Sequence, residues 1–246
     1  MRGKESGEVM HPFQRLQAQL ADLIASTPTG ERLPAEPDLA KKLGVSRATL
    51  REAMRSFEGQ GLIRRRQGVG TFVVRQSKVL ESGLEVLESI ETLAAKIGLE
   101  VKMGALHIDR MSASGQQAEA LRVAEGAPLL QISRIILAEN RPVAFLIDVL
   151  PEEVLNVADL QHGFTGSVLD FLIRRGTPPL DYAFTDLRAV PASAEIARAL
   201  EVQRGDVLLM LVAYLYDRSG QVVANTYSYF LPGYFRFHVV RRIPEM

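Results

Sequence analysis

The sequence predicts an α+β protein in two parts, a helical head ending in a β-hairpin and a larger antiparallel sheet domain with helices. Three observations predict it. Charge is segregated: residues 1–78 hold 14 Lys+Arg against 8 Asp+Glu, while residues 79–246 hold 15 against 21, so the net charge of zero averages +6 with −6. Apolar residues recur with a helical period through the first quarter, then give way to two short β-branched runs around glycines. Beyond residue 100 a pattern of helix, glycine turn and hairpin occurs twice, 79 residues apart.

The bulk composition narrows the function classes. With 47% hydrophobic and 24% charged residues, 246 residues suffice for two packed domains. The chain has no cysteine, which excludes disulfides, thiolate metal sites and cysteine nucleophiles and suits a reducing cytoplasm. The opening "MRGKESGEVM" lacks an apolar signal core, and the longest apolar run, "VLLMLVAYLY" at 207–216, is about half the length of a membrane-spanning helix. A cytoplasmic protein without a membrane partner is expected.

In the head, Phe13, Leu16, Leu20, Leu23 and Ile24 share one helical face over Pro12 to Ser26, with proline suited to the first turn. "STPTGERLP" interrupts, and "AEPDLAKKLG" then gives a second helix that turns Leu39, Ala40 and Leu43 inward and stops at Gly44. Ser46 caps a third helix from Arg47 to about Glu58. Its Leu50, Ala53, Met54 and Phe57 fall on one side, which carries Arg51, Glu52 and Arg55 to the other. "GLIRRRQGVGTFVV" reads as two strands, Leu62 to Arg66 and Thr71 to Val74, joined through Gln67, Gly68, Val69 and Gly70. Three helices followed by a hairpin make a winged helix-turn-helix.

That arrangement explains the arginines. A helix fits the major groove of B-DNA, where Arg47, Thr49 and Arg51 on the first turns can reach base edges, while Ser46 and the backbone N–H groups beside it suit phosphate. Arg55 extends the row, Arg66 and its neighbours Arg64 and Arg65 arm the hairpin, and a tip of glycines permits close approach to the DNA backbone. A solvated face would also produce a row of arginines; the hairpin and the charge asymmetry favour DNA. The same glycines do not form a nucleotide loop, because "TFVV" follows them rather than a helix bearing Lys and Ser/Thr.

From Leu33 to Val74 the chain resembles the DNA-binding domain of GntR-superfamily transcription regulators, whose pattern runs L-P-S-E-R-x-L-A, then V-S-R-x-T-V-R-x-A, then G-x-G-T-F-V. The resemblance implies Arg47, Thr49 and Arg51 as operator contacts and Gly68 and Gly70 as the wing tip. Ala35 and Pro37 stand where the family commonly has Ser and Arg, so a helix cap and a DNA contact are missing.

Residues 75–99 form an acidic connection with a helix in which Ile90, Leu93, Ala94 and Ile97 share a face before Gly98. Then "AEALRVAEGAPLLQISRIIL" from Ala118 matches "ARALEVQRGDVLLMLVAYLY" from Ala197, and each copy continues through a turn into a second apolar strand ending in Leu-Pro. Two such units share one sheet, with a cavity between the halves as the place for a small ligand. From about Leu84 to Arg242 the chain resembles the UTRA effector domain of the HutC-type GntR branch, which has a chorismate-lyase-like fold. The resemblance implies a small anionic metabolite held by Arg134, Ser167 and Tyr227, and chemically a guanidinium, a hydroxyl near a helix start and a phenol suit such a ligand. Ile136 replaces the second arginine often found there, and Leu146 or Ile147 the expected acid, with Asp148 next along.

An enzyme with a chorismate-lyase-like domain fused to a DNA-binding head is the alternative. His11, His107, His162 and His238 have no metal-ligand spacing, and "TGSVL" lacks the nucleophile elbow G-x-S-x-G, so neither catalytic nor metal residues are expected, and no cofactor. The expectation is a regulator, a repressor, in which residues 1–78 bind a palindromic double-stranded DNA operator and residues 79–246 bind the effector and form the homodimer.

Overall fold

The computed structural model describes residues 12–59, 61–66, 69–74, 80–161 and 163–239, and the chain divides into two compact units, residues 1–76 and 77–246.

The first unit contains α1 (Pro12–Ser26), α2 (Glu36–Leu43), α3 (Arg47–Gly59) and the antiparallel hairpin β1 (Ile63–Arg66) and β2 (Gly70–Val73). Its core is built from the faces that the periodicity marks: Leu16, Leu20 and Ile24 of α1, Leu39 and Ala40 of α2, and Leu50, Ala53, Met54 and Phe57 of α3, closed by Ile63 and Val73. As Ala35 requires, α2 begins without a side-chain cap; Pro37 and the acids Glu36 and Asp38 occupy its first turn, and Gly44 ends it in the left-handed region at φ 67°. The segment before α2, which the sequence presents only as a breaker, lies along the hairpin. The Leu33 amide donates to the Thr71 carbonyl (2.8 Å), and the Val73 amide donates to the Glu31 carbonyl (2.9 Å). Gly70 of the hairpin stands at φ 136°, a backbone conformation that side chains rarely adopt, with the Arg32 side chain beside it.

The second unit is a six-stranded antiparallel sheet, order β4-β5-β6-β9-β8-β7, made of β4 (Val101–Ser112), β5 (Pro128–Ala138), β6 (Arg141–Pro151), β7 (Leu180–Pro191), β8 (Val207–Asp217) and β9 (Val222–Phe230). The sequence repeat extends further than its helix and hairpin. Val101 of β4 and Leu180 of β7, like Pro128 of β5 and Val207 of β8, stand 79 residues apart, so each unit is strand, helix, strand, strand. The two units meet where β6 pairs with β9. The sequence did not announce β4 and β7 because they are the sheet's edges: many of their side chains are exposed, and the apolar alternation that marks a half-buried strand is diluted.

Each face of the sheet carries helices. On one side lie α5 (Gly115–Leu121) and α8 (Ala194–Ala199), packed on Leu129 and Val149 and on Phe145 and Leu208 respectively. On the other lie α4 (Ile90–Lys96), whose Ile90, Leu93 and Ala94 pack on Ile136, Leu146 and Phe230, and α7 (Val168–Arg175), whose Val168, Phe171 and Leu172 pack on Ile132, Leu150 and Leu215. The turn α6 (Val157–Leu160) precedes α7, and β10 (Phe235–His238) pairs in parallel with β3 (Leu80–Gly83). Among the described residues no helix is long and apolar enough to cross a membrane.

Candidate nucleic-acid interface and ligand cavity

The start of α3 presents an exposed polar row. Ser46 caps the helix, its Oγ accepting from the Thr49 amide (3.0 Å) and lying 2.8 Å from the Thr49 hydroxyl, while Arg47 stands exposed beside them. Leu50, Ala53 and Met54 are fully buried, which fixes the roll of the helix and forces Arg47, Arg51 and Arg55 outward. Arg55 pairs with Glu52 across one turn at 3.3 Å.

Arg51 has a partner that the sequence does not reveal. Its Nε donates to Oε2 of Glu36 at 2.7 Å, and the same carboxylate approaches the Arg65 Nε at 3.4 Å through its other oxygen. Glu36, at the first turn of α2, thereby ties α3 to the hairpin and restricts the Arg51 side chain, half of which remains exposed. On the hairpin, the Arg66 guanidinium lies 5.2 Å from the centroid of the Phe72 ring.

In the second unit a cavity of about 530 Å³ lies against the sheet face that carries α4 and α7. Two helix starts bound it. Ser89 caps α4 by accepting from the Thr92 amide (2.9 Å), and Ser167 caps α7 by accepting from the Asp170 amide (3.1 Å). A hydrogen bond from the Ser89 hydroxyl to Oδ2 of Asp170, 2.6 Å, fastens the two starts together. The floor is mostly apolar, with Leu146, Leu211, Ala213, Leu215 and Ala224 and the hydroxyls of Thr226 and Ser228.

Arg134 enters this cavity from β5. Its side chain is 5% exposed, its Nη1 donates to Oδ2 of Asp148 on the neighbouring β6, and its Nε lies 3.9 Å from Oε1 of Glu91 on α4. The Arg134 Nε and both carboxylate oxygens of Glu91 are buried, and among the described residues no other residue gives them a hydrogen bond. Burial pushes the Glu91 carboxyl above the usual carboxylate range; Arg134 and the backbone N–H of Glu91 itself oppose the shift, and Asp170 and Asp148 add to it. The guanidinium that the sequence offers to an anion is thus already matched by a carboxylate of the chain. Among the described residues no group of three or more His, Asp and Glu side chains is placed to hold a metal ion.

Comparison with known proteins agrees with both halves of this arrangement. The model for "Bacterial regulatory proteins, gntR family" matches residues 12–73, and the UTRA domain model matches residues 96–236. The chain belongs to the gntR family of bacterial regulatory proteins. It is a HutC-type GntR regulator, a transcription regulator rather than an enzyme, and membership of that family implies DNA binding. It is 26% identical to the HTH-type transcriptional repressor NagR of Bacillus subtilis over 80% of this chain and 79% of that one. It is 27% identical to the histidine utilization repressor of Pseudomonas aeruginosa over 92% and 90% of the two chains. The crystal structure of PhnF from Mycobacterium smegmatis has the same fold, with a TM-score of 0.62 and 23% identity over 93% of this chain and 100% of that one.

In this GntR regulator Ser46, Arg47, Thr49, Arg51 and Arg55 are exposed on or beside α3, and on the hairpin Arg66 is exposed and Gly70 partly so; Gln67 and Gly68 lie outside the described residues. The expected effector set does not stay together. Arg134 and Ser167 line the cavity, but Tyr227 does not. Tyr227 pairs with Ile147, whereas Asp148 pairs with Thr226, so strand alternation sends Tyr227 to the opposite face. There it borders a smaller cleft of about 240 Å³ with Gln131, Asn225 and Tyr229, and burial raises its phenol above the usual range. The hydroxyls that β9 does turn toward Arg134 are Thr226 and Ser228. Their signal was the pairing register, which no single strand carries in its own sequence.

Proposed function

We propose that the protein is a cytoplasmic, homodimeric repressor that reads a palindromic DNA operator with two copies of α3 and the hairpin. Residues 1–78 act as the DNA-binding domain and residues 79–246 as the effector-binding and dimerisation domain. A small metabolite bound in the cavity beside Arg134 shifts the equilibrium between DNA-competent and incompetent spacings of the two heads, and by linkage the operator shifts metabolite affinity equally.

The observation that carries this reading is the exposed row of Ser46, Arg47, Thr49 and Arg51 at the start of a helix whose other face is fully buried. A helix held in that way offers its first turns to a major groove and little else to a partner. The names of NagR and the histidine utilization repressor support repression as the direction of control. A gel-shift with the promoter region adjoining the protein's own gene, against a scrambled duplex and with added metabolites, tests the proposal. Preference for the promoter that a metabolite changes is expected; equal affinity for both duplexes overturns operator recognition.

A further inference from the structure

Resting on the reading of the cavity as the effector site, we infer that its ligand carries no negative charge: it has a neutral or cationic head that donates and accepts hydrogen bonds, on an apolar body. The Arg134 guanidinium and the Asp148 carboxylate both line the cavity. Arg134 is paired with Asp148, and Glu91 lies 3.9 Å from its Nε. A phosphate or carboxylate entering here competes with Asp148 for the same cation, and an Asp148 displaced from Arg134 is left as a buried, unpaired anion, the most costly state for such a group.

The rest of the lining adds no cation. Arg134 is the one basic residue among the described residues that line the cavity, while Glu85, Glu88, Asp148 and Asp181 are acidic. Of these, Glu88 is matched by Lys96 and Asp148 by Arg134. The available recognition is by hydrogen bonding. The Arg134 Nε–H has no acceptor among the described residues, Asp148 accepts, and Thr226 and Ser228 both donate and accept, so a hydroxyl, amide or amine head meets complementary groups without adding a negative charge. Leu146, Leu211 and Leu215 accommodate an apolar body, and a volume of about 530 Å³ is in the range that encloses one small organic ligand.

The test uses three probes with one body and different heads: phenethylamine, 2-phenylethanol and phenylacetate. Each is titrated into the full-length protein by calorimetry, with thermal unfolding followed in parallel. Phenethylamine and 2-phenylethanol are expected to bind at least about tenfold more tightly than phenylacetate. The Asp148→Asn variant, which keeps the shape and removes the competing charge, should narrow or reverse that order. Tighter binding of phenylacetate by the unaltered protein overturns the inference and leaves the cavity as a ligand site. Ala213→Trp fills the cavity floor and should abolish binding of all three. Binding that survives it, or no binding of any probe at millimolar concentration, overturns the cavity reading itself. Because the order in the unaltered protein decides the charge question, the inference stays falsifiable even if a variant does not fold.

Discussion

Glu91 shows what a single buried carboxyl contributes. Its pKa is raised by burial, with Arg134 and then the backbone N–H of Glu91 itself opposing the rise and Asp170 and Asp148 adding to it. A carboxyl whose folded pKa exceeds its unfolded value contributes its full stability below the unfolded value and loses it as pH rises through the folded one. Glu91→Gln, neutral at every pH, should therefore lose less melting temperature than the parent between mildly acidic and neutral pH, as read by thermal unfolding across that range; parallel curves would show that Glu91 is not the group responsible. Arg134 was legible at this scale as an isolated guanidinium amid apolar residues. Its pairing was not, because Asp148 lies on the next strand and Glu91 on a helix 43 positions earlier, and neither proximity is written in local spacing. The face that Tyr227 takes was not legible for a related reason: alternation within "NTYSYFLP" gives two sets of side chains, but only pairing to β6 tells which set faces the cavity.

At the scale of elements, α3 is held by two kinds of contact. Leu50 is fully buried in the first unit's core, and Leu50→Ala should cost about 2–5 kcal/mol of stability, measured by denaturant unfolding of that unit's transition. Glu36 acts on orientation instead, through its contacts with Arg51 and Arg65. Glu36→Gln removes a negative charge near DNA, which strengthens nonspecific association, and loosens Arg51, which weakens base reading; the ratio of operator to nonspecific affinity should fall by about tenfold or less, in keeping with one exposed ion pair. An unchanged ratio would remove Glu36 from the reading apparatus. The three helices and the hairpin were legible because their apolar spacing and their glycines act locally. The edge strands β4 and β7 were not, since an edge exposes side chains on which the period-two signal depends.

For the whole molecule, the internal repeat carries the architecture. A shift of 79 residues maps β4, α5 and β5 onto β7, α8 and β8, so one sheet is built from two copies of a unit that pair at β6 and β9. The first unit, in contrast, has a self-contained core of Leu16, Leu39, Leu50 and Ile63 with their neighbours. Truncation after Val74 should accordingly give a folded, monomeric fragment that binds DNA weakly, because two linked heads gain affinity through effective concentration and one head does not. A tight, dimeric fragment on sedimentation would move the dimer contact into the first unit.

The most direct measurement is an equilibrium titration of the full-length protein and its Arg51→Ala variant on operator and on scrambled duplex at matched salt. Loss of about 1–3 kcal/mol per head on the operator, with a much smaller loss on the scrambled duplex, is the result expected if α3 reads bases. Equal losses on both duplexes, or no association of the parent protein with any double-stranded DNA at low salt, would contradict it.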